Sequence, residues 1–128
     1  MNTQKHLVSK QIYITAHPYH PFFFSAGEDG NLILWDNERN NIFKNFKIDK
    51  NVSAIKLSPK GNFLVVGLEG GGVMLAEIKI EKSLYAKEYS INNLEFKPLN
   101  EGEYDKTAVL SIEFSENEKI LAISFGIV

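Results

Sequence analysis

The sequence has no cysteine, one tryptophan and no long apolar run. Without cysteine, a disulfide framework, a thiolate zinc site and thiol catalysis are excluded, and a reducing compartment is the expected environment. No apolar stretch is long enough to cross a bilayer, and residues 1–10 lack the apolar core of a signal peptide. We therefore expect a soluble cytoplasmic protein that does not bind membranes.

Clustered positive charge is also lacking. Lysine and arginine total 14 against 16 aspartates and glutamates, and the net charge is -2. A nucleic-acid surface needs a concentrated basic patch, so nucleic acid is not an expected partner. Arg39 is the one arginine, and asparagine is frequent. This bias is typical of AT-rich coding genomes, which many protists have.

Short apolar runs separated by turn residues make up most of the chain. The runs are FFF at 22–24, LILW at 32–35, FLVV at 63–66, VMLA at 73–76 and ILAI at 120–123. Short runs bounded by turn residues predict β-strands. The run at 32–35 is apolar on both faces, which predicts that a neighbouring sheet covers each side.

The runs belong to an internal repeat. Shifting the chain by 41 residues places His17-Pro18 on Ser58-Pro59, and a third, partial copy places Phe114-Ser115 on Leu57-Ser58. A period in the low forties with four short strands per unit is typical of WD-type propeller blades. The predicted fold class is all-β: a partial WD40-type β-propeller of about two and a half four-stranded antiparallel blades.

The repeat divides the chain into five segments. They are a leading segment at 1–10, a blade with the Trp-Asp motif at 11–48, a second blade at 49–90, a polar insert at 91–107 and a truncated third blade at 108–128. The predicted strands are, in order, 11–16, 22–26, 31–36 and 42–48, then 54–57, 63–67, 73–80 and 84–90, then 109–115 and 120–124. The insert predicts a surface loop or a small extra hairpin.

An open ring leaves blade faces and strand edges exposed. We therefore expect the chain to be a fragment of one propeller. We also expect it to self-associate, by strand swapping or by blade stacking.

Residues 27–36, GEDGNLILWD, resemble the WD-repeat family. Gly30 after Asp29 supplies the positive backbone angle of a tight hairpin turn. The resemblance implies that the aspartate anchors a series of side chains running through a strand hydroxyl and a histidine to the tryptophan. His6 lies about one residue off the family spacing, and the second copy has Gly70 and Ala76 at the aspartate and tryptophan positions. The structural WD motif of this chain comprises Ser25, Asp29, Gly30, Trp35 and Asp36.

A narrower resemblance is to the echinoderm microtubule-associated-protein-like family, in which tandem propellers alternate such repeats. It covers nearly the whole chain outside 1–10 and 91–107, and it rests on the His-Pro element at 17–18 and on VGLEGG at 66–71. It implies a non-catalytic protein-interaction scaffold that binds tubulin or microtubules on the cytoskeleton. The alternative is a generic WD40 adaptor subunit of another complex, of ciliary-transport or ubiquitin-ligase type.

No residue pattern predicts catalysis, a metal site or a cofactor. His17 and His20 have metal-like spacing, but neither cysteine nor a nearby carboxylate completes a ligand set, and the flanking prolines predict a rigid turn. The glycines at 70–72 lack the Lys-Ser/Thr of a phosphate-binding loop and predict a turn between strands. His17 and Tyr19 are the candidate exposed contacts with a partner.

Overall fold

The computed structural model describes residues 11–38, 41–82, 89–100 and 103–127. Its regular secondary structure in these ranges consists of strands, all paired antiparallel. They contain no helix that could cross a membrane. The strands are β1 (Ile12–Ala16), β2 (Phe22–Gly27), β3 (Asn31–Asp36), β4 (Asn41–Lys47), β5 (Val52–Leu57), β6 (Phe63–Gly71), β7 (Val73–Glu77), β8 (Ile80–Lys82), β9 (Tyr89–Ile91), β10 (Lys97–Pro98), β11 (Glu103–Phe114) and β12 (Leu121–Ile127).

The first blade is a four-stranded meander in the order β1-β2-β3-β4. Cross-strand partners share a face, so the register that pairs Phe24 with Leu34 places both side chains towards the second blade. Ile33 and Trp35 point to the opposite face and are also buried. Both faces of β3 are therefore buried, as predicted, and the second blade covers the face of Leu32 and Leu34.

The second blade has β5, β6 and β7 in consecutive order, but its fourth strand differs from the prediction. The strand predicted at 84–90 was expected to pair with β7. Of this segment, residues 83–88 lie outside the described ranges. The part that is described belongs to β9, which pairs with β8 as a separate hairpin. Instead, β10 pairs with β7, joining Lys97 to Leu75. The predicted insert therefore supplies the outer strand of the second blade and is more than a surface loop.

Two interactions explain this arrangement. Asn92 closes the base of the β8–β9 hairpin, accepting from Lys79 N at 2.7 Å and donating to Glu77 O at 2.9 Å. Leu94 is buried in the core, and Phe96 packs beside it. Burying these two apolar side chains brings the following residues alongside β7.

The third copy contributes β11 and β12. β11 begins at Glu103, six residues before the predicted start, because its first part pairs with the extended end of β6, where Ala108 faces Glu69. The sheet of the second blade thus continues into the third copy. The predicted boundaries between the five segments stay predictions.

The core consists of two layers between stacked sheets. One lies between the first and second blades; its fully buried members include Phe24, Leu32, Leu34, Leu64 and Val66. The other lies between the second blade and the third copy; its members are Ala54, Val65, Val73, Val109 and Ile112. Hydrogen bonds also cross both layers: Leu57 N donates to Thr15 Oγ1 at 3.0 Å, and Ser53 Oγ donates to Val109 O at 2.7 Å.

Candidate functional site

The Trp-Asp hairpin turns at Asp29 and Gly30. Gly30 has φ +76°, in the left-handed region that glycine adopts without strain. Asp29 Oδ1 accepts from Asn31 N at 3.0 Å, which closes the turn into β3. At the far end of β3, Asp36 Oδ1 accepts from Glu38 N at 3.0 Å. The two aspartates therefore shape the turns at both ends of one strand.

Trp35 and Ser25 interact in the buried face of the first blade. Trp35 Nε1 donates to Ser25 Oγ at 2.8 Å, and the indole stacks on Phe23 with ring centroids 6.0 Å apart. Both side chains are buried, so the hydrogen bond satisfies an indole N–H that water cannot reach. His6, the third residue considered for this network, lies outside the described residues.

Replacing Trp35 with phenylalanine is expected to lower the free energy of unfolding by about 2 kcal/mol, because the hydrogen bond and part of the buried ring are lost. Ser25→Ala leaves the indole N–H without its serine acceptor, at a cost of about 1–2 kcal/mol. Urea unfolding of both variants and the double variant measures their coupling. The double variant should cost less than the sum of the two single variants, because both remove the same hydrogen bond; strictly additive losses would show that the two side chains do not interact.

Three equivalent turns form one edge of the stack, which we call the turn rim: residues 17–21, 58–62 and 115–119. In each copy the first residue donates its backbone N–H to the carbonyl five positions on. The pairs are His17 N to Phe22 O at 3.0 Å, Ser58 N to Phe63 O at 2.9 Å and Ser115 N to Ile120 O at 2.9 Å. The repeat in the sequence is thus a repeat of backbone geometry at this edge.

His17 lies inside the turn rim, so the prediction that it is an exposed contact is wrong. Its side chain is only 9% exposed. Nδ1 accepts from Tyr19 N and His20 N, each at 3.2 Å, and Nε2 lies 3.3 Å from Gly61 O in the second blade. Both ring nitrogens are therefore used in holding two turns together. The rigid turn predicted from the flanking prolines is the better description of this element.

Tyr19 lies at the outside of the same turn. Its side chain is 71% exposed, more than those of the two other exposed aromatic residues in the described ranges, Phe43 and Phe125. Its backbone N–H is fixed by His17, so the exposed ring is carried by an ordered turn. Tyr19 remains a candidate contact, and its role stays a prediction.

Glu118 joins the third turn to the second and was missed by the sequence analysis. Its carboxylate accepts from Asn62 Nδ2 at 2.7 Å and from Lys60 N at 3.2 Å. Desolvation alone would raise the pKa of Glu118, but hydrogen bonds from Ser58, Asn62 and Lys60 outweigh it and lower the pKa. The anionic carboxylate therefore holds the neighbouring turn.

A signal for Glu118 was present in the repeat. Aligning Ser115 with Ser58 places Glu118 on Gly61, and both residues have positive φ, +61° and +77°. A glutamate at a glycine position costs about 1 kcal/mol of backbone strain. The hydrogen bonds to the second turn offset that strain, which explains why the residue is found there.

The glycines at 70–72, at the end of β6, form a turn between strands, as predicted. Gly70 and Gly71 have φ +91° and +85°. Asn100 from the insert fixes this turn, donating from Nδ2 to Gly71 O at 2.9 Å and accepting from Val73 N at 3.0 Å. No helix follows it, so the geometry of a phosphate-binding loop is not formed here.

A groove of about 430 Å³ lies beside the turn rim at the ends of the inner strands. Ile14 and Pro18 line it from the first blade, Lys56 from the second and Glu113 from the third copy. The ion pair between Lys56 and Glu113 is 4.0 Å long and largely exposed, so it adds little stability. Across the described ranges, no group of three or more His, Cys, Asp or Glu side chains is placed to hold a metal ion.

Comparison with known proteins supports a WD-type architecture. Residues 4–36 match the family model "WD domain, G-beta repeat". Among solved structures, the "Crystal structure of the Saccharomyces cerevisiae Sqt1" is similar with a TM-score of 0.51 at 16% identity, over 91% of this chain and 35% of that one. This chain therefore spans about a third of the length of that protein.

At that level of identity the likeness shows the fold. The antiparallel sheets, the WD repeat match and the structural neighbour confirm the predicted fold class, an all-β partial WD40-type β-propeller. Neither match singles out the echinoderm microtubule-associated-protein-like family, so that narrower resemblance stays a prediction.

Proposed function

We propose that this chain is a non-catalytic protein-interaction scaffold whose turn rim binds tubulin or microtubules. The observation that carries the scaffold function is the linkage of three consecutive turns by His17 and Glu118. Rigid elements that hold exposed side chains in fixed relative positions lose little entropy on binding. WD-type propellers in general act in this way, by binding protein partners.

Tubulin as the partner is supported by the sequence resemblance at the His-Pro element and at VGLEGG. The contact that we assign is Tyr19, because tyrosine supplies a large, rigid and amphipathic surface and is enriched at binding hot spots. The corresponding location is the cytoplasm, on the cytoskeleton. Neither catalysis nor a cofactor forms part of this proposal.

A generic adaptor function in another complex is the second candidate, and one observation favours it. His17, the residue of the His-Pro element that suggested the microtubule family, is occupied by contacts within the fold. The element therefore has a structural reason to be present whichever partner is bound. Ciliary-transport and ubiquitin-ligase complexes are examples of this class.

Cosedimentation with polymerised tubulin separates the two candidates. We expect the chain to pellet with microtubules in a saturable manner, and Tyr19→Ala to weaken binding about tenfold. Phe43→Ala is the matched control, because Phe43 is another exposed aromatic residue and lies on β4, outside the three turns of the rim; it should bind as the unmodified chain does. A folded chain that stays in the supernatant would contradict tubulin binding and favour the adaptor.

Self-association is part of the proposal. β12 lies at the end of its sheet in strand order, and Phe125 and Ile127 on it are exposed. An edge strand with exposed apolar side chains favours pairing with another chain. We therefore expect light scattering of the chain alone to show an oligomer, and a monomer would contradict self-association.

A further inference from the structure

His17 is held in one protonation state by its three partners. Nδ1 lies 3.2 Å from two backbone N–H groups, of Tyr19 and His20, and can accept them only when it carries no proton. The proton is then on Nε2, which donates to Gly61 O at 3.3 Å. The neutral imidazole thus satisfies donors of its own turn and an acceptor of the next blade.

A protonated ring cannot keep these contacts. Both nitrogens of an imidazolium are donors, so Nδ1–H would face two N–H groups and lose both as partners. The ring contacts Phe22, with centroids 4.6 Å apart, and His20 at 5.0 Å. Burial, together with the neighbouring His20, lowers the pKa of His17 below its ordinary value of 6.5, and the hydrogen bond to Gly61 O only partly opposes this.

Other titratable and charged groups lie near this turn: Asp36 on β3 is paired with Phe22, and Lys56 and Glu113 line the groove beside Pro18. His20 and Tyr19 belong to the same turn as His17, and Lys60 precedes Gly61 in the facing turn. Glu118, from the third turn, is bound to Lys60 N and Asn62 Nδ2. None of the contacts described for His17 is with a carboxylate that would stabilise its charged form.

We propose that His17 is a pH-sensitive latch of the turn rim: neutral, it ties the turn that carries Tyr19 to the second blade, and protonated, it releases that turn. Because the charged form is disfavoured in the folded state, the latch is fully closed above the unfolded-state pKa of about 6.5. It opens as the pH falls from there through the folded-state pKa. The exposed Tyr19 ring therefore sits on a turn whose order depends on pH, whichever partner it contacts.

Nitrogen NMR of the histidine side chains tests the latch in the intact chain. At pH 7.5 we expect His17 as the Nε2–H tautomer, with the amides of Tyr19 and His20 protected from hydrogen exchange. Protection of these two amides should fall about tenfold as His17 titrates below pH 6.5, while β3 amides stay protected. An Nδ1–H tautomer, or titration of His17 at or above 6.5, would overturn the proposal.

Three variants assign the effect. In His17→Asn the amide oxygen can replace Nδ1 without titrating, so Tyr19 and His20 amides should stay protected with no pH dependence between about pH 5 and 7. His17→Gln retains a donor for Gly61 O but lacks the Nδ1 acceptor, so protection should be absent at every pH. His20→Gln should keep the transition and move it to higher pH, because one neighbouring charge is removed. Loss of the transition in His20→Gln alone would assign the pH response to His20 and refute the latch.

Discussion

Replacing Gly67 with alanine is expected to lower the free energy of unfolding by about 3 kcal/mol. A Cβ atom at Gly67 would lie 2.5 Å from Cβ and Cγ1 of Val109. Val109 has no room to move, because it is fully buried, pairs with β12 and accepts a hydrogen bond from Ser53 at its carbonyl oxygen. The added methyl group must therefore separate the second blade from the third copy. Urea unfolding, with equal slopes for both proteins, measures the loss.

Gly126→Ala is the matched control for this substitution. Its Cβ would also meet a side chain, that of Leu110, but Leu110 is largely exposed and can change rotamer. The expected cost is below about 1 kcal/mol. Adding Val109→Ala to Gly67→Ala should recover part of the loss by making space. Equal effects of the two glycine substitutions would contradict the tight contact between the blades.

Strand positions were predictable where local pattern and repeat agreed. Asn31–Asp36 has the same bounds in the prediction and in the structure, because the Asp-Gly turn fixes its start and its apolar residues need cover on both faces. The other strands of the first blade, the β5–β6 pair of the second blade and the β11–β12 pair of the third copy were predictable for the same reason. A repeated turn chemistry and a repeated apolar pattern are enough to specify these elements.

The outer strand of the second blade was not predictable from local pattern. Lys97–Pro98 is a polar pair with no strand propensity of its own, and it pairs with β7 because Leu94 is buried a few residues earlier. Proline is tolerated there because the strand is at the edge of the sheet. The position of such a strand is determined by tertiary packing, which the apolar periodicity of the sequence does not indicate.

The candidate site shows the same division. The rigid turn at the His-Pro element followed from its prolines, and the exposure of Tyr19 agrees with its position in that turn. The burial of His17 did not follow, because its cover is Gly61, 44 residues away in the next repeat. Contacts between blades depend on which small residue of one repeat faces a large residue of the next. Aligning the repeats with one another matches equivalent positions and does not show which residues face each other.

Gly61→Ala is expected to cost about 3 kcal/mol of unfolding free energy, from two sources. At φ +77° an alanine is strained by about 1 kcal/mol. In addition, its Cβ would overlap the His17 imidazole, which is held by Tyr19 N and His20 N and cannot retreat without losing them. Chemical denaturation at pH 7.5, where His17 is neutral, measures the sum.

Gly30→Ala is the matched control, because Gly30 has nearly the same φ, +76°, and its added carbon would make a tight contact of 3.3 Å with Asp49 N but would overlap no side chain. It should cost about 1 kcal/mol. The difference between the two variants is then the cost of displacing His17 from its place between the blades. If that displacement occurs, the pKa of His17 in Gly61→Ala moves up towards 6.5 as the ring becomes solvated. Equal losses in both variants, with the His17 titration unchanged, would show that the imidazole does not join the first blade to the second.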